Sequence, residues 1–249
     1  MGRHISRRRF VGLGLAGTAT LLGGRGLAAA SAPASEAGRL QARPGKPTRP
    51  VQTGVHDLGL AADRDGVLYV PAAYRPEKPL PLLMLLHGAL GRTGPFTERC
   101  RMALEMGIAV VEPDARGRTW DFDLSSGGAD LAFLDRAFAH VAIDPRHLGL
   151  GGFSDGASYG LSAGLANGDL FSHVLAFSPG FMNPPGRRGR PRVWVSHGVE
   201  DEILPVDSSR RRIVPQLRGW GYDVRYEEFA GGHAVSPELA RTAFRWFLA

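Results

Sequence analysis

Leu148-Gly149-Leu150-Gly151-Gly152-Phe153-Ser154-Asp155-Gly156-Ala157-Ser158 is the stretch on which the fold turns. Leu148 to Phe153 reads as a buried strand, and Gly156 to about Ala166 as a helix of small residues. Between them, Gly152-Phe153-Ser154-Asp155-Gly156 matches G-x-S-x-G. The pentapeptide alone is common by chance. Set between a strand and a helix, it predicts a tight turn that lifts a serine out at the strand's end. Such a turn strains the serine backbone, and Gly152 and Gly156 lack the side chains that would collide there. A structural serine in a glycine-rich turn is the plainer alternative.

Outward from this turn, short apolar runs alternate with helical spacing. Strands are expected at Val67–Val70, Leu82–Leu86, Ile108–Val111, Val174–Phe177, Val193–Val195 and Val224–Phe229. Helices are expected at Pro95 to about Met106, Ala129 to about Val141, Ser208–Trp220 and Pro237–Phe247. Continuous apolar strands alternating with helices predict an α/β fold, its mostly parallel central sheet covered on both faces. Such sheets gather their functional loops at the carboxyl ends of the strands.

A serine hydroxyl is a weak nucleophile and needs a base. His233, in Gly231-Gly232-His233 after the last strand, is placed for that role. His87 and His197 each precede a glycine at a strand end and read as residues that hold turns. His56, His140, His147 and His173 read as packing or surface residues in turns or helices. A base of this kind is held in one tautomer by an acid. The loop after Ser196-His197-Gly198 offers Glu200, Asp201, Glu202 and Asp207. Charge developing on a carbonyl oxygen requires waiting N–H donors. Asp155, just after the serine, is one candidate. The loop His87-Gly88-Ala89-Leu90-Gly91 offers Ala89, with Leu90 as the alternative. Leu90, Trp120, Phe181, Met182, Ile203 and Leu204 fall in loops at strand ends and are candidate substrate contacts, each of which core packing would explain equally well. Ser178 to Arg192 is too short for a sizeable lid, so an open site is expected. Asp121 and Asp123 have no histidine or cysteine cluster beside them, so no metal or other cofactor is expected.

Taken together, Leu86-His87-Gly88, the G-x-S-x-G turn, Ser196-His197-Gly198 through Asp201 to Pro205, and Gly232-His233 resemble the phospholipase/carboxylesterase branch of the α/β-hydrolases. Secreted polyhydroxybutyrate depolymerase-like and feruloyl esterase-like enzymes are related to that branch. The likeness runs from about Val67 to Ala249. It implies the α/β-hydrolase fold without a sizeable lid, Asp201 as the acid, and a Ser154–Asp201–His233 catalytic triad in that chain order. It also implies a serine carboxylesterase acting through an acyl-enzyme. Asp155 stands where intracellular carboxylesterases of this group usually carry Gln. An acyltransferase or peptidase would use the same triad, and a binding module on a hydrolase fold is the reading from another class.

The N-terminus carries a different signal. Ser6-Arg7-Arg8-Arg9-Phe10-Val11, an apolar run to about Gly24 and Leu27-Ala28-Ala29-Ala30-Ser31-Ala32 resemble a twin-arginine export signal with its cleavage site. Residues 1–30 are therefore expected to be a signal peptide recognised by the twin-arginine machinery, giving a secreted or periplasmic protein. The run is too short and glycine-rich to anchor stably in a membrane. Gly12-Leu13-Gly14-Leu15-Ala16-Gly17 fits the dinucleotide pattern G-x-G-x-x-G but lacks its strand–helix setting. Residues 31–50, rich in Pro, Ala, Gly and Arg, read as a linker, leaving 51–249 as the catalytic domain.

The 249-residue chain is ordinary in composition, with 43% hydrophobic and 22% charged residues. Its formal charge of +6 sits almost wholly in Arg3, Arg7, Arg8, Arg9 and Arg25, while the remainder nearly balances the 24 acidic residues. A nucleic-acid partner is therefore not expected, and the partner in view is an ester substrate. Arg187, Arg188, Arg190 and Arg192 read as a solvated loop. Cys100, the single cysteine, excludes an internal disulfide and reads as a buried, inert thiol.

Overall fold

The computed structural model describes residues 38–44, 51–92, 98–136 and 143–249. The expected signal peptide lies outside the described residues.

Eight strands form one sheet: β1 (Gly54–Asp57), β2 (Gly66–Val70), β3 (Leu80–Leu86), β4 (Ala109–Pro113), β5 (Ile143–Phe153), β6 (His173–Phe177), β7 (Arg192–Gly198) and β8 (Val224–Phe229). Their spatial order is β1-β2-β4-β3-β5-β6-β7-β8. β2 runs antiparallel to β1 and β4, and every pair from β4 to β8 is parallel. The helices are α1 (Glu98–Glu105), α2 (Ala129–Arg136), α3 (Asp155–Ala166), α4 (Val214–Gly219) and α5 (Pro237–Leu248), with a π-helical turn at Ser208–Ile213 leading into α4.

Side-chain alternation in β3 shows how the sheet is covered. Leu82, Met84 and Leu86 pack with Leu131 and Leu134 of α2 and with Tyr159 of α3. Leu83 and Leu85 face the other way, onto Cys100 and Met102 of α1 and Phe244 and Phe247 of α5. Both faces are thus dry, which is why β3 reads as one continuous apolar run. Cys100 is fully buried in α1. The small residues of α3 have a steric cause: a Cβ on Gly164 would lie 2.5 Å from Val174 Cγ2 of β6. α5 starts where Ser236 Oγ accepts the Leu239 amide at 3.1 Å, with Pro237 in the first turn.

One strand was not foreseen and three expectations need correction. β1 has no apolar alternation and its residues are mostly exposed, so pattern reading passes over this edge strand. His147 and His173 lie on strands β5 and β6, with rings stacked 6.2 Å apart. The described part of the expected linker, residues 38–44, is a packed strap. Leu40 is fully buried, its amide donates to Asn167 Oδ1 at 2.8 Å, and Asn167 Nδ2 donates back to the Gly38 carbonyl at 2.8 Å. Arg39 and Arg43 both pair with Asp169. One buried leucine and a side-chain clamp leave no periodic signal. Last, the arginine-rich loop is not simply solvated. Arg187 lies over the Trp220 ring, and Arg188 donates to the Ala166 carbonyl.

Candidate active site

The turn between β5 and α3 is built by exclusion. Ser154 sits at φ 58° and ψ −120°, outside the ordinary regions for a residue with a side chain. Strain of this kind costs on the order of 1–3 kcal/mol and persists only where the surroundings enforce it. Here the Ser154 amide donates to the Phe177 carbonyl at 2.9 Å, and the Ser154 carbonyl accepts the amides of Ala157 and Ser158. A Cβ on Gly152 would lie 2.4 Å from the Gly156 carbonyl carbon, and one on Gly156 would lie 2.4 Å from the Leu86 carbonyl oxygen. Neither position tolerates a side chain, which is the physical content of the two glycines in the motif.

The His233 loop is fixed in the same way. A Cβ on Gly198 would lie 2.3 Å from the Gly231 carbonyl oxygen and 2.4 Å from that of Gly232. Glycine at the end of β7 thus lets the loop after β8 pass close above it. The Glu200 amide donates to the Gly231 carbonyl at 3.0 Å, tying the two loops together. His233 Nδ1 lies 2.7 Å from Asp201 Oδ2, and its ring packs 4.6 Å from that of Phe153, beside Ser154. Asp201 is buried, and its Oδ1 accepts the amides of Ile203 at 3.0 Å and Leu204 at 2.8 Å. Burial alone would raise the Asp201 carboxyl. The hydrogen bonds from His233 and from those two amides outweigh burial and hold it below the usual carboxylate range. An ionised Asp201 fixes the proton of His233 on Nδ1 and leaves Nε2 as the basic nitrogen. Glu200, Glu202 and Asp207 are exposed, and Asp207 pairs with Arg211.

Gly88 passes beside the serine, since a Cβ on it would lie 3.4 Å from Ser154 Cβ. The Leu90 amide is engaged with the Arg118 carbonyl at 2.7 Å, and Gly91 closes a turn back to Gly88. Of the two N–H groups considered in this loop, that of Ala89 is the one left for a ligand. The Asp155 amide opens α3, where the first N–H groups lack helical partners. Its carboxylate points elsewhere, accepting the Thr119 hydroxyl at 2.5 Å.

The candidate substrate contacts divide. Trp120 is corrected: it is 1% exposed, donates from Nε1 to the His87 carbonyl at 2.8 Å and packs on Tyr159. It is core, because a loop residue with an indole N–H found an internal acceptor. Phe181 is exposed and pairs with the half-buried Phe122 at 4.9 Å. Leu204 covers Gly180, with Cδ2 3.1 Å from where a Cβ would stand. Met182 packs partly into the core beneath α3, while Leu90 and Ile203 are exposed. Ser178 to Pro191 contains no helix. Sequence reading missed a cavity of about 110 Å³ behind the turn, between Gly88, Phe153, Phe177, Val235 and Phe244; neither Ser154 nor His233 lines it. Asp121 is occupied in a reciprocal pair with Asp130, and Asp123 holds Ser126.

The antiparallel β2, the parallel strands after it and the strained serine turn after β5 define the α/β-hydrolase fold. Comparison with known proteins agrees. No protein-family model matches the chain. It is 31% identical over 106 residues to acyl-protein thioesterase 1 of Gibberella zeae, covering 39% of this chain and 45% of that protein. It is 22% identical over 222 residues to the probable feruloyl esterase C of Aspergillus flavus, covering 74% of this chain and 80% of that protein. Among solved structures, esterase PE8 superposes with a TM-score of 0.60 at 22% identity, over 74% of this chain and 97% of that one.

Proposed function

We propose that this chain is a secreted serine hydrolase that cleaves carboxylic esters. The observation that carries the reading is a strained Ser154 whose neighbour Phe153 packs on His233, with His233 Nδ1 held 2.7 Å from a buried, fully hydrogen-bonded Asp201. His233 Nε2 takes the Ser154 proton as Oγ attacks the ester carbonyl. The tetrahedral oxyanion is held by the amides of Ala89 and Asp155. The C–O bond to the alcohol then breaks, His233 protonates the leaving oxygen, and an acyl-Ser154 remains. Water, deprotonated by His233, attacks the acyl carbonyl; Ser154 leaves with the proton from His233, and the acid is released. Asp201 stabilises the imidazolium without itself taking the proton. Similarity to feruloyl esterases and to an acyl-protein thioesterase supports acyl transfer to water as the net reaction. The exposed Phe181, its half-buried partner Phe122 and Leu204 give an apolar wall for the substrate.

Residues 1–30 direct export through the twin-arginine route in this reading, with the catalytic domain released outside the cytoplasm. Two tests address the proposal. Hydrolysis of p-nitrophenyl esters from acetate to palmitate, with Ser154→Ala alongside, should show activity that the variant loses; inertness in both, with Ser154 unlabelled by a fluorophosphonate, would overturn the reading. Replacing Arg7, Arg8 and Arg9 with lysine should leave the protein in the cytoplasm on cell fractionation; undiminished export would remove the route.

A further inference from the structure

We propose that His197 is a positioning residue for Asp201, setting both the orientation and the basicity of the carboxylate that faces His233. The inference rests on the catalytic reading above. His197 is the penultimate residue of β7 and is fully buried. Its Nδ1 lies 2.8 Å from Ser209 Oγ on the π-helical turn. Its Nε2 lies 2.6 Å from the Leu204 carbonyl oxygen and 3.2 Å from Asp201 Oδ2.

These contacts fix the chemistry. A carbonyl oxygen only accepts, so Nε2 carries a proton, and that N–H donates to Leu204 O with Asp201 Oδ2 beside it. The Ser209 hydroxyl donates to Nδ1, so the ring is satisfied on both sides. Asp201 Oδ2 then accepts from His233 at 2.7 Å with the Nε2 edge of His197 3.2 Å away, while Oδ1 accepts two amides. The acid loop is closed by one side chain through the Leu204 carbonyl, directly beside the carboxylate. The protonated Nε2 edge of that ring, 3.2 Å from Oδ2, also stabilises the negative charge that faces His233. Without it the carboxylate would be more basic and would hold the His233 imidazolium harder. The other charged groups near this ring form their own pair, Glu228 of β8 with Arg210 of the π-helical turn at 2.5 Å.

The experiment compares His197→Phe, His197→Gln and Ser209→Ala with the wild type. Phenylalanine keeps the ring volume without a donor, and glutamine restores an amide N–H near the Nε2 position. His197→Phe should lower kcat on the order of tenfold, with KM within about twofold, and move the acid limb of kcat/KM to higher pH. His197→Gln should recover most of both effects, and Ser209→Ala should move the limb in the same direction by less. In parallel, the low-field proton NMR resonance of His233 Nδ1–H should shift its titration upward in His197→Phe, a readout that needs no ester turnover. Equal losses in the Phe and Gln variants with an unmoved limb and resonance would overturn the proposal and leave His197 a packing residue. Should His197→Phe not fold, unmoved limbs and resonances in the other two variants would do the same. If the wild type hydrolyses no ester, the catalytic reading fails while the NMR comparison still decides this inference.

Discussion

His87-Gly88 at the end of β3 and His197-Gly198 at the end of β7 are the same dipeptide in the same kind of place, yet they work differently. In both, glycine admits a neighbour: Gly88 lies against Ser154, and Gly198 lies under the carbonyls of Gly231 and Gly232. The histidines differ in tautomer. His87 donates from Nδ1 to the Gly88 carbonyl at 2.7 Å and accepts the Ala115 amide on Nε2 at 3.0 Å. His197 carries its proton on Nε2, set by the Leu204 carbonyl. One histidine braces the loop that offers Ala89, and the other braces the loop that holds Asp201. The lesson is that the dipeptide marks a strand end beside the site, with a close backbone approach only at Gly198, while the role of the imidazole is set by which neighbour can only accept and which can only donate.

The comparison can be broken or sharpened in order of expected effect. Asp201→Asn keeps the loop's shape but removes the charge that fixes His233; kcat should fall about 10⁴-fold in steady-state ester hydrolysis, the size of effect an acid-to-amide change has in a serine triad. A loss under tenfold would move the acid's role to another residue. Trp120→Ala, beneath His87, should cost about 3–5 kcal/mol in urea unfolding as a buried aromatic is lost. Gly198→Ala should cost about 1–3 kcal/mol and also impair turnover, because a Cβ there pushes the His233 loop away. Gly88→Ala meets only ordinary contacts at 3.4 Å, so its effect should appear in kcat with stability nearly unchanged. Equal destabilisation by the two alanines would mean that Gly88 is approached as closely as Gly198.

The smallest effect concerns acid. His87 and His173 are both pushed down by burial, His173 to about 4, and His173 Nε2 has no hydrogen-bond partner among the described residues. A histidine with a depressed folded pKa contributes stability fully present above its unfolded pKa near 6.5. That stability is lost as pH falls toward the folded value, because the unfolded chain takes the proton first. Urea unfolding should therefore weaken by on the order of 1 kcal/mol between about pH 7 and pH 5, and His173→Gln should flatten that slope more than any change at His87.

How much of this was legible in the sequence depends on what left a pattern. The parallel strands did, because both faces of the sheet are buried and each strand is a continuous apolar run. The serine turn did, because two positions admit glycine alone. Asp201 stood among three other acids, and only the likeness to a known family singled it out; its reach to His233 depends on tertiary approach across Gly198. β1 and the 38–44 strap left no trace, since one is exposed and the other is held by Asn167 and Asp169 rather than by an apolar face. Trp120 was misread because its indole partner, the His87 carbonyl, lies 33 residues away. The tautomer of His197 is invisible without Leu204 and Ser209 in place.

The most direct test of the central claim is intact-mass analysis of the protein quenched in acid during turnover of a slowly deacylating p-nitrophenyl ester. The account predicts a mass increase of one acyl group, mapped by peptide analysis to Ser154, absent in Ser154→Ala and accumulating further in His233→Ala only if acylation is forced with an activated ester. Turnover with no acyl adduct on Ser154, or an adduct on another residue, would contradict it.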